Sequence, residues 1–329
     1  MASLSKTLGS YPTRVERLSA LGRSGTALWV KRDDLTHPVY GGNKVRKLER
    51  ILARAKEHGA TRIVTIGAAG SHHVLATAIF AAEMGIAVDA VLVPQPRTPH
   101  VADNLRASLA QGLRAFPVRS YAGVPWAVLR RLGPGATFVP VGGSSLTGAM
   151  GYVDGARELA AQIRAGDLPE PDAVVVTLGS GGTAAGIVAG LALEGLATRV
   201  IAVSVSTPAV VVAWTTRLLA RRCARRAGGR IGWGDVMRRL IVDARYLGAG
   251  YGHATAEGDR AREVARTVGL TLDATYTAKT FAAALDLVAS ERYRNVLYWH
   301  TLSSAPMEPL LARAASEASL PAPLRALLR

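Results

Sequence analysis

The 329-residue chain has one cysteine, Cys223, which excludes a disulfide framework and any cysteine-based zinc or iron–sulfur site. Aromatic residues make up only 5% of it. With no zinc-finger or RNA-recognition signature either, the stacking platforms of a nucleic-acid binder are missing. Lysine is rare, with six in all: Lys6, Lys31, Lys44, Lys47, Lys56 and Lys279. Any lysine inside a motif therefore stands out. Long apolar runs are also absent. The longest, near residues 208–216, is too short to cross a bilayer and runs into arginines. Residues 1–17 carry no apolar leader core, so a cytoplasmic protein with no membrane partner is expected.

Hydrophobic residues are plentiful at 49%, against 19% charged, enough for a packed core and about two domains' worth of chain. The net charge of +16 is carried mainly by arginine, with a dense patch at Arg217, Arg221, Arg222, Arg225, Arg226 and Arg230. An arginine-biased composition or an anionic small substrate explains it; a non-catalytic protein that binds anionic polymers is the alternative of another class.

Apolar, β-branched runs at 62–66, 88–93, 137–141, 173–178, 199–204 and 295–299 predict strands. Between them, helical spacing recurs, as in Leu48, Ile51, Leu52 and Ala55, and at 76–84, 101–110, 151–163, 184–193, 254–268 and 280–288. Strand–helix units of this length predict an α/β fold with parallel sheets covered by helices on both faces. The chemistry should then gather in loops at the strands' carboxyl ends.

Two such loops stand out. Gly179-Ser180-Gly181-Gly182-Thr183 follows the 173–178 strand and opens a helix, the setting of an anion cradle. It lacks the lysine ending of a P-loop, and no acidic residue ends the next strand as a dinucleotide site requires. An ordinary strand–helix turn is the other reading. Lys44 follows Gly41-Gly42-Asn43 at the start of the 48–55 helix. The positive end of the helix and partial burial both disfavour its charge, which makes it a candidate nucleophile for carbonyls. A solvated first helical turn explains the same residues equally well.

Eight segments in order narrow the choice: KRDDLT, GGNKVRKLE, TIGAAGSHH, PVGGSSLTGAMGY, TLGSGGTAAG, GYG, DATYTAKT and YWHT. Together they resemble the fold-type-II pyridoxal-phosphate enzymes, in the branch of D-cysteine desulfhydrase and 1-aminocyclopropane-1-carboxylate deaminase. The resemblance spans roughly residues 31–304. It implies that Lys44 bonds the cofactor aldehyde, with Asn43 beside it. It further implies that Gly179, Ser180, Gly181, Gly182 and Thr183 hold the phosphate, and that Ser71 meets the substrate carboxylate. Tyr276 would lie beside the ring and substrate, and Thr301 would face the pyridine nitrogen. His73 would line the substrate site.

This chain departs from that family at three places. His72 replaces the asparagine that bonds the cofactor's 3-hydroxyl, a position also near the substrate; an imidazole can donate there too. Leu302 and Ser303 replace two glycines. Thr277 stands where the deaminases carry a glutamate, so the resemblance leans towards the desulfhydrase branch. What it implies is a lyase that removes the α-proton of a small amino acid through Lys44, expels a group from Cβ and releases a 2-keto acid and ammonia. A ring-opening deaminase and a divergent biosynthetic enzyme are the alternatives. It implies two domains, a large cofactor-binding one (1–45 and 154–329) and a small one (46–153), with the active site in the cleft between them, and a homodimer. No metal is expected.

Overall fold

The computed structural model describes residues 7–23, 25–206 and 208–328; residues 1–6, part of the stretch read for a leader, lie outside the described residues. In chain order the strands are β1 (Val15–Arg17), β2 (Ala27–Arg32), β3 (Arg62–Ala68), β4 (Ala87–Val93), β5 (Arg114–Pro117), β6 (Ala136–Val139), β7 (Ala173–Leu178), β8 (Arg199–Ser204), β9 (Leu240–Asp243) and β10 (Asn295–His300). The longer helices are α1 (Asn43–Glu57), α2 (His72–Glu83), α3 (Pro99–Ala110), α4 (Val124–Leu129), α5 (Leu146–Ala165), α6 (Gly182–Leu193), α7 (Ala209–Arg226), α8 (Trp233–Arg239), α9 (Ala256–Thr267) and α10 (Thr277–Ala289). The chain forms two compact units, one combining Gly9–Lys47 with Leu146–Ser304, the other containing Leu48–Ser145 and Ala305–Arg329.

The first unit is a sheet in the order β1-β2-β10-β7-β8-β9, parallel throughout except for β1, which runs antiparallel to β2. Side chains on a strand alternate between faces, so β7 feeds two cores. Val174, Val176 and Leu178 pack with α5, α6 and α7 residues such as Tyr152, Ile187 and Ala220. Ala173 and Val175 pack on the other face with Ala261, Phe281 and Ala284 of α9 and α10. Both faces are dry, which is why β7 and β8 read as unbroken apolar runs.

A buried ion network lies behind the start of α1. Arg46 donates to Asp33 Oδ1 at 2.8 Å and to both Glu158 oxygens at 3.0 Å. Lys31, itself wholly buried, donates to Glu158 at 2.6 Å, to Gln162 Oε1 at 2.7 Å and to the Thr13 carbonyl at 3.0 Å. Tyr152 closes the set by donating to Asp33 Oδ2 at 2.8 Å. Burial alone would raise the Asp33 carboxyl, but Arg46 and Lys31 overcome it and hold the group at about 2.

The second unit is a fully parallel sheet in the order β5-β4-β3-β6. Its carboxyl-terminal segment is tied to the rest by Gln95 N–H donating to the Leu327 carbonyl at 3.0 Å and Arg106 Nε donating to the Ala315 carbonyl at 2.8 Å. An Arg97–Glu317 ion pair at 3.0 Å adds to these ties. The Gln95 side chain in turn accepts the Gly70 N–H at 3.1 Å, just before α2.

The six expected strands are present: β7 and β8 match to the residue, and the other four have shifted or extended ends because the apolar run does not mark the hydrogen-bonded limits. Not expected were β1, β2, β5 and β9. Three of them have only three or four residues, too few to show a period. The unexpected helix α7 contains most of the arginine patch. Its buried face is made of small residues, Ala213, Thr216, Ala220, Cys223 and Ala224, while Val210, Trp214 and Leu218 point outward, so apolar spacing does not announce it. Among the described residues no helix is long and apolar enough to cross a membrane.

Candidate active site

Lys44 is the second residue of α1, and the turn before it is fixed by contact with the end of β10. Gly42 has φ +89°, and a Cβ there would lie 2.5 Å from the Thr301 carbonyl oxygen, so the close approach needs glycine. Asn43 N–H donates to that same carbonyl at 3.0 Å, and Gly41 N–H to Ser303 Oγ at 2.9 Å. The Ser303 hydroxyl thus adds a tie of its own to this junction.

Asn43 joins the lysine to the glycine loop. Its Oδ1 accepts from Lys44 Nζ at 2.6 Å, while its Nδ2 donates to Thr183 Oγ1 at 3.2 Å. Burial pushes the Lys44 amine down to about 8, with Asp273 pulling part of the way back. Lys47, one turn on, is driven well below the usual lysine range by burial and by Lys44.

The glycine loop leads from β7 into α6, which is buried from Gly182 to Leu191. Gly181 sits at φ +88°, and a Cβ on it would lie 2.2 Å from Thr216 Oγ1 of α7. Over Gly179 a Cβ would meet nothing closer than Val205 Cγ2 at 3.9 Å. The loop is therefore braced from behind and open at its first glycine, with the positive end of α6 behind it.

Tyr276 immediately precedes α10. Its hydroxyl is hydrogen-bonded to that of Tyr251, and the two rings meet edge to face at 5.7 Å. Asp273 holds the turn: Oδ2 accepts the Thr275 and Tyr276 N–H groups at 2.9 and 2.8 Å, and Oδ1 accepts the Thr277 N–H at 2.9 Å and hydroxyl at 2.6 Å. The Thr277 hydroxyl is thus committed to Asp273. Lys279, fully buried, donates to the Leu247 carbonyl at 2.8 Å and the Gly250 carbonyl at 3.3 Å, fastening the Tyr251 loop to α10. Thr301, 7% exposed, directly follows β10.

Ser71, His72 and His73 belong to the other unit, at the start of α2. Ser71 is its N-cap, with Oγ accepting the Val74 N–H at 3.4 Å. His73 is buried, with Nε2 at 3.0 Å from Thr65 Oγ1 and Nδ1 at 3.5 Å from Thr77 Oγ1. The Thr65 hydroxyl proton goes to the Val139 carbonyl at 2.9 Å, so Thr65 accepts and His73 donates from Nε2. His72 is half-buried, and its Nε2 lies 2.9 Å from Nε2 of His100.

Sequence reasoning singled out Lys44, the glycine loop and Tyr276, but gave no role to Asp273, Lys279, Tyr251 or His100. Asp273 had a readable signal, an acidic residue just ahead of a helix start. His100 lies 28 residues from His72 and had none.

The chain matches the family model for pyridoxal-phosphate dependent enzymes over residues 6–301. It belongs to the pyridoxal-phosphate dependent enzyme family. Relatives include nocardicin C-9' epimerase of Nocardia uniformis subsp. tsuyamanensis, 36% identical over 89% of this chain and 90% of its own length. D-cysteine desulfhydrase of Yersinia enterocolitica is 34% identical over 88% and 90%. A putative 1-aminocyclopropane-1-carboxylate deaminase of Pyrococcus horikoshii is 31% identical over 88% and 89%. Among solved structures, an ACC deaminase homologue superposes with a TM-score of 0.79 at 28% identity, covering 93% of this chain and 95% of its own. The fold is that of the fold-type-II pyridoxal-phosphate enzymes. The residues present suit this cofactor: an amine lowered to about 8 for the aldehyde, and a glycine loop at a helix N-terminus with space over Gly179 for the phosphate.

Proposed function

We propose that this family member is a lyase that eliminates a β-substituent from a small amino acid, with D-cysteine the first candidate, to give a 2-keto acid and ammonia. The observation that carries the reading is the Asn43 bridge, which joins the Lys44 amine and the glycine loop in one unit. The D-cysteine desulfhydrase relative supports the substrate class.

When bound, pyridoxal phosphate supplies the electron sink for charge developing at Cα. Gly179–Thr183 would hold its phosphate, Lys44 with Asn43 beside it would hold its aldehyde, and Thr301 would face the ring nitrogen. The Nζ of Lys44, lowered to about 8, would take the Cα proton as general base. Ser71, capping α2, is assigned to the substrate carboxylate, with His72 and His73 following it. The Tyr276 hydroxyl, oriented by Tyr251, holds a proton for the group leaving Cβ. Neutral Thr301 and the committed hydroxyl of Thr277 offer no carboxylate to a ring nitrogen. That favours a substrate whose leaving group carries the charge away over cyclopropane opening.

In this reading the larger unit, which carries Lys44 and Gly179–Thr183, is the cofactor-binding one. The outward apolar stripe of Val210, Trp214 and Leu218 supports a homodimer, and the buried free Cys223 suits a reducing cytoplasm. A second reading, epimerisation at an amino-acid centre, is favoured by the 36% identical epimerase.

Measuring keto-acid release from D-cysteine and from 1-aminocyclopropane-1-carboxylate at equal concentration, in heavy water, decides among these. Keto acid from D-cysteine alone is expected. Faster turnover of the cyclopropane substrate overturns the choice of branch. For an amino acid offered as substrate, deuterium at Cα without keto acid establishes the epimerase reading instead.

A further inference from the structure

Asp273, 9% exposed, builds the turn that carries Tyr276 into α10. Oδ2 takes the N–H groups of Thr275 and Tyr276, and Oδ1 takes the N–H and the hydroxyl of Thr277. In return the Asp273 N–H goes to Thr277 Oγ1 at 2.8 Å. Each carboxyl oxygen thus takes two hydrogens, as an ionised carboxylate does. The turn is anchored outward as well. Thr280 Oγ1 donates to the Tyr276 carbonyl at 3.0 Å and lies 2.7 Å from Thr177 Oγ1, one residue before the end of β7. Lys279 ties the same helical turn to the Tyr251 loop. Asp273 therefore sits where α10 meets the carboxyl ends of the parallel strands. Its charge acts on groups from each neighbouring segment: Tyr40 ahead of α1, Lys44 within it, Lys279 in α10, and Tyr298 and His300 in β10. Lys47, one turn on in α1, is the other charged group coupled to Lys44.

We propose that Asp273 is a positioning residue of this site, fixing the turn that aims Tyr276 while its charge steadies the Lys44 amine. A cap on the helix start alone would do the first and not the second. The Thr277 hydroxyl completes the turn by giving one hydrogen bond and taking another. A glutamate there, as in the deaminases of the family, brings no such hydroxyl and sets a second carboxylate beside the first. Residues 273–277 of this chain keep a single negative charge. The parts given to Lys44 and Tyr276 in the reaction rest on the function proposed above; the coupling of Asp273 to Lys44 does not.

Competitive acetylation of the full chain, stripped of cofactor, with peptide mapping of the labelled lysine, measures the proton affinity of Lys44. Half-reactivity of the wild type is expected near pH 8. Asp273→Asn leaves an oxygen to accept from the turn but removes the charge that favours the ammonium form. The midpoint should therefore fall by at least about 0.5 pH unit, and label at pH 7 should enter about threefold faster. Thr277→Val loosens the same turn and keeps the charge, so its midpoint should stay within about 0.2 unit of the wild type. In both variants the NMR signals of the Tyr276 ring should shift. Should Asp273→Asn not fold, Asp273→Ser repeats the measurement, since a serine hydroxyl can still accept from the turn. A midpoint that is unchanged or raised without the charge overturns the proposal. So does a fall as large in Thr277→Val, or a Tyr276 ring unmoved in both variants. The expected midpoints in a chain whose Lys44 captures no pyridoxal phosphate overturn the function proposed above instead and leave the coupling standing.

Discussion

Three helix starts, those of α1, α2 and α3, carry polar groups, and they follow two opposite plans. The start of α1 rests on full charges: Arg46, two residues past Lys44, is locked to Asp33 and Glu158, with Lys31 behind them, all away from solvent. The starts of α2 and α3 rest on hydroxyl caps and an imidazole contact: Ser71 accepts the Val74 N–H, Thr98 accepts the Val101 N–H, and His72 meets His100, which is open to water. The first plan suits a nucleophile, because a fixed turn keeps the amine in one place while burial lowers its proton affinity. The second suits groups that act through hydrogen bonds rather than through charge.

The largest effect should come from Lys44 itself. Lys44→Ala should abolish borohydride-trapped pyridoxyl label and reduce keto-acid formation by about 10³-fold or more, within the range of losing a positioned base that is also the covalent anchor. Peptide mapping that finds the label on Lys31, Lys47 or Lys279 contradicts the assignment.

Next is the charged foundation. Arg46→Met leaves Asp33 and Glu158 short of their partner and should destabilise the protein by about 3–5 kcal/mol in urea unfolding. Because the network is buried, added salt should recover little of this. Gly181→Ala forces a side chain into a left-handed backbone and against Thr216, so about 1–3 kcal/mol of strain is expected. Cofactor retention, followed by dialysis and absorption, should fall further than folding does.

A pH series sharpens the contrast. The Lys44 amine is lowered to about 8, and its neutral form is the nucleophile. Capture of pyridoxal phosphate by the stripped protein should therefore slow about tenfold for each pH unit below 8 and level off above it. A plateau beginning near the ordinary lysine value of 10.5 would show that burial does not act on this amine. The smallest effect belongs to the second plan: His100→Phe, at an exposed site, should shift stability by no more than about 0.5 kcal/mol in urea unfolding.

Legibility followed the same division. The glycine loop, the strands feeding both cores and the lysine after Gly-Gly-Asn are local patterns, and each was readable because its cause lies within a few residues. The ion network joins Thr13, Lys31, Asp33, Arg46 and Glu158 from four distant segments, and nothing in one segment names the others. The same holds for His72 with His100. Helix α7 was hidden because its buried face is small rather than apolar-rich. Short β5 and β9 lie at sheet edges and carry too few residues to set a rhythm.

The tie between Gln95 and Leu327 also sets an order of events during synthesis. Gln95 accepts from Gly70, next to the Ser71 cap, and is itself held by a residue near the end of the described chain. On the ribosome, the loop leading into α2 cannot receive its final support until Leu327 has left the exit tunnel. The long sheet waits in the same way, since β10 must slot between β2 and β7. Both supports thus emerge late in the described residues, and a chain cut before them would carry Lys44 and Ser71 without the strand and the tail segment that brace them.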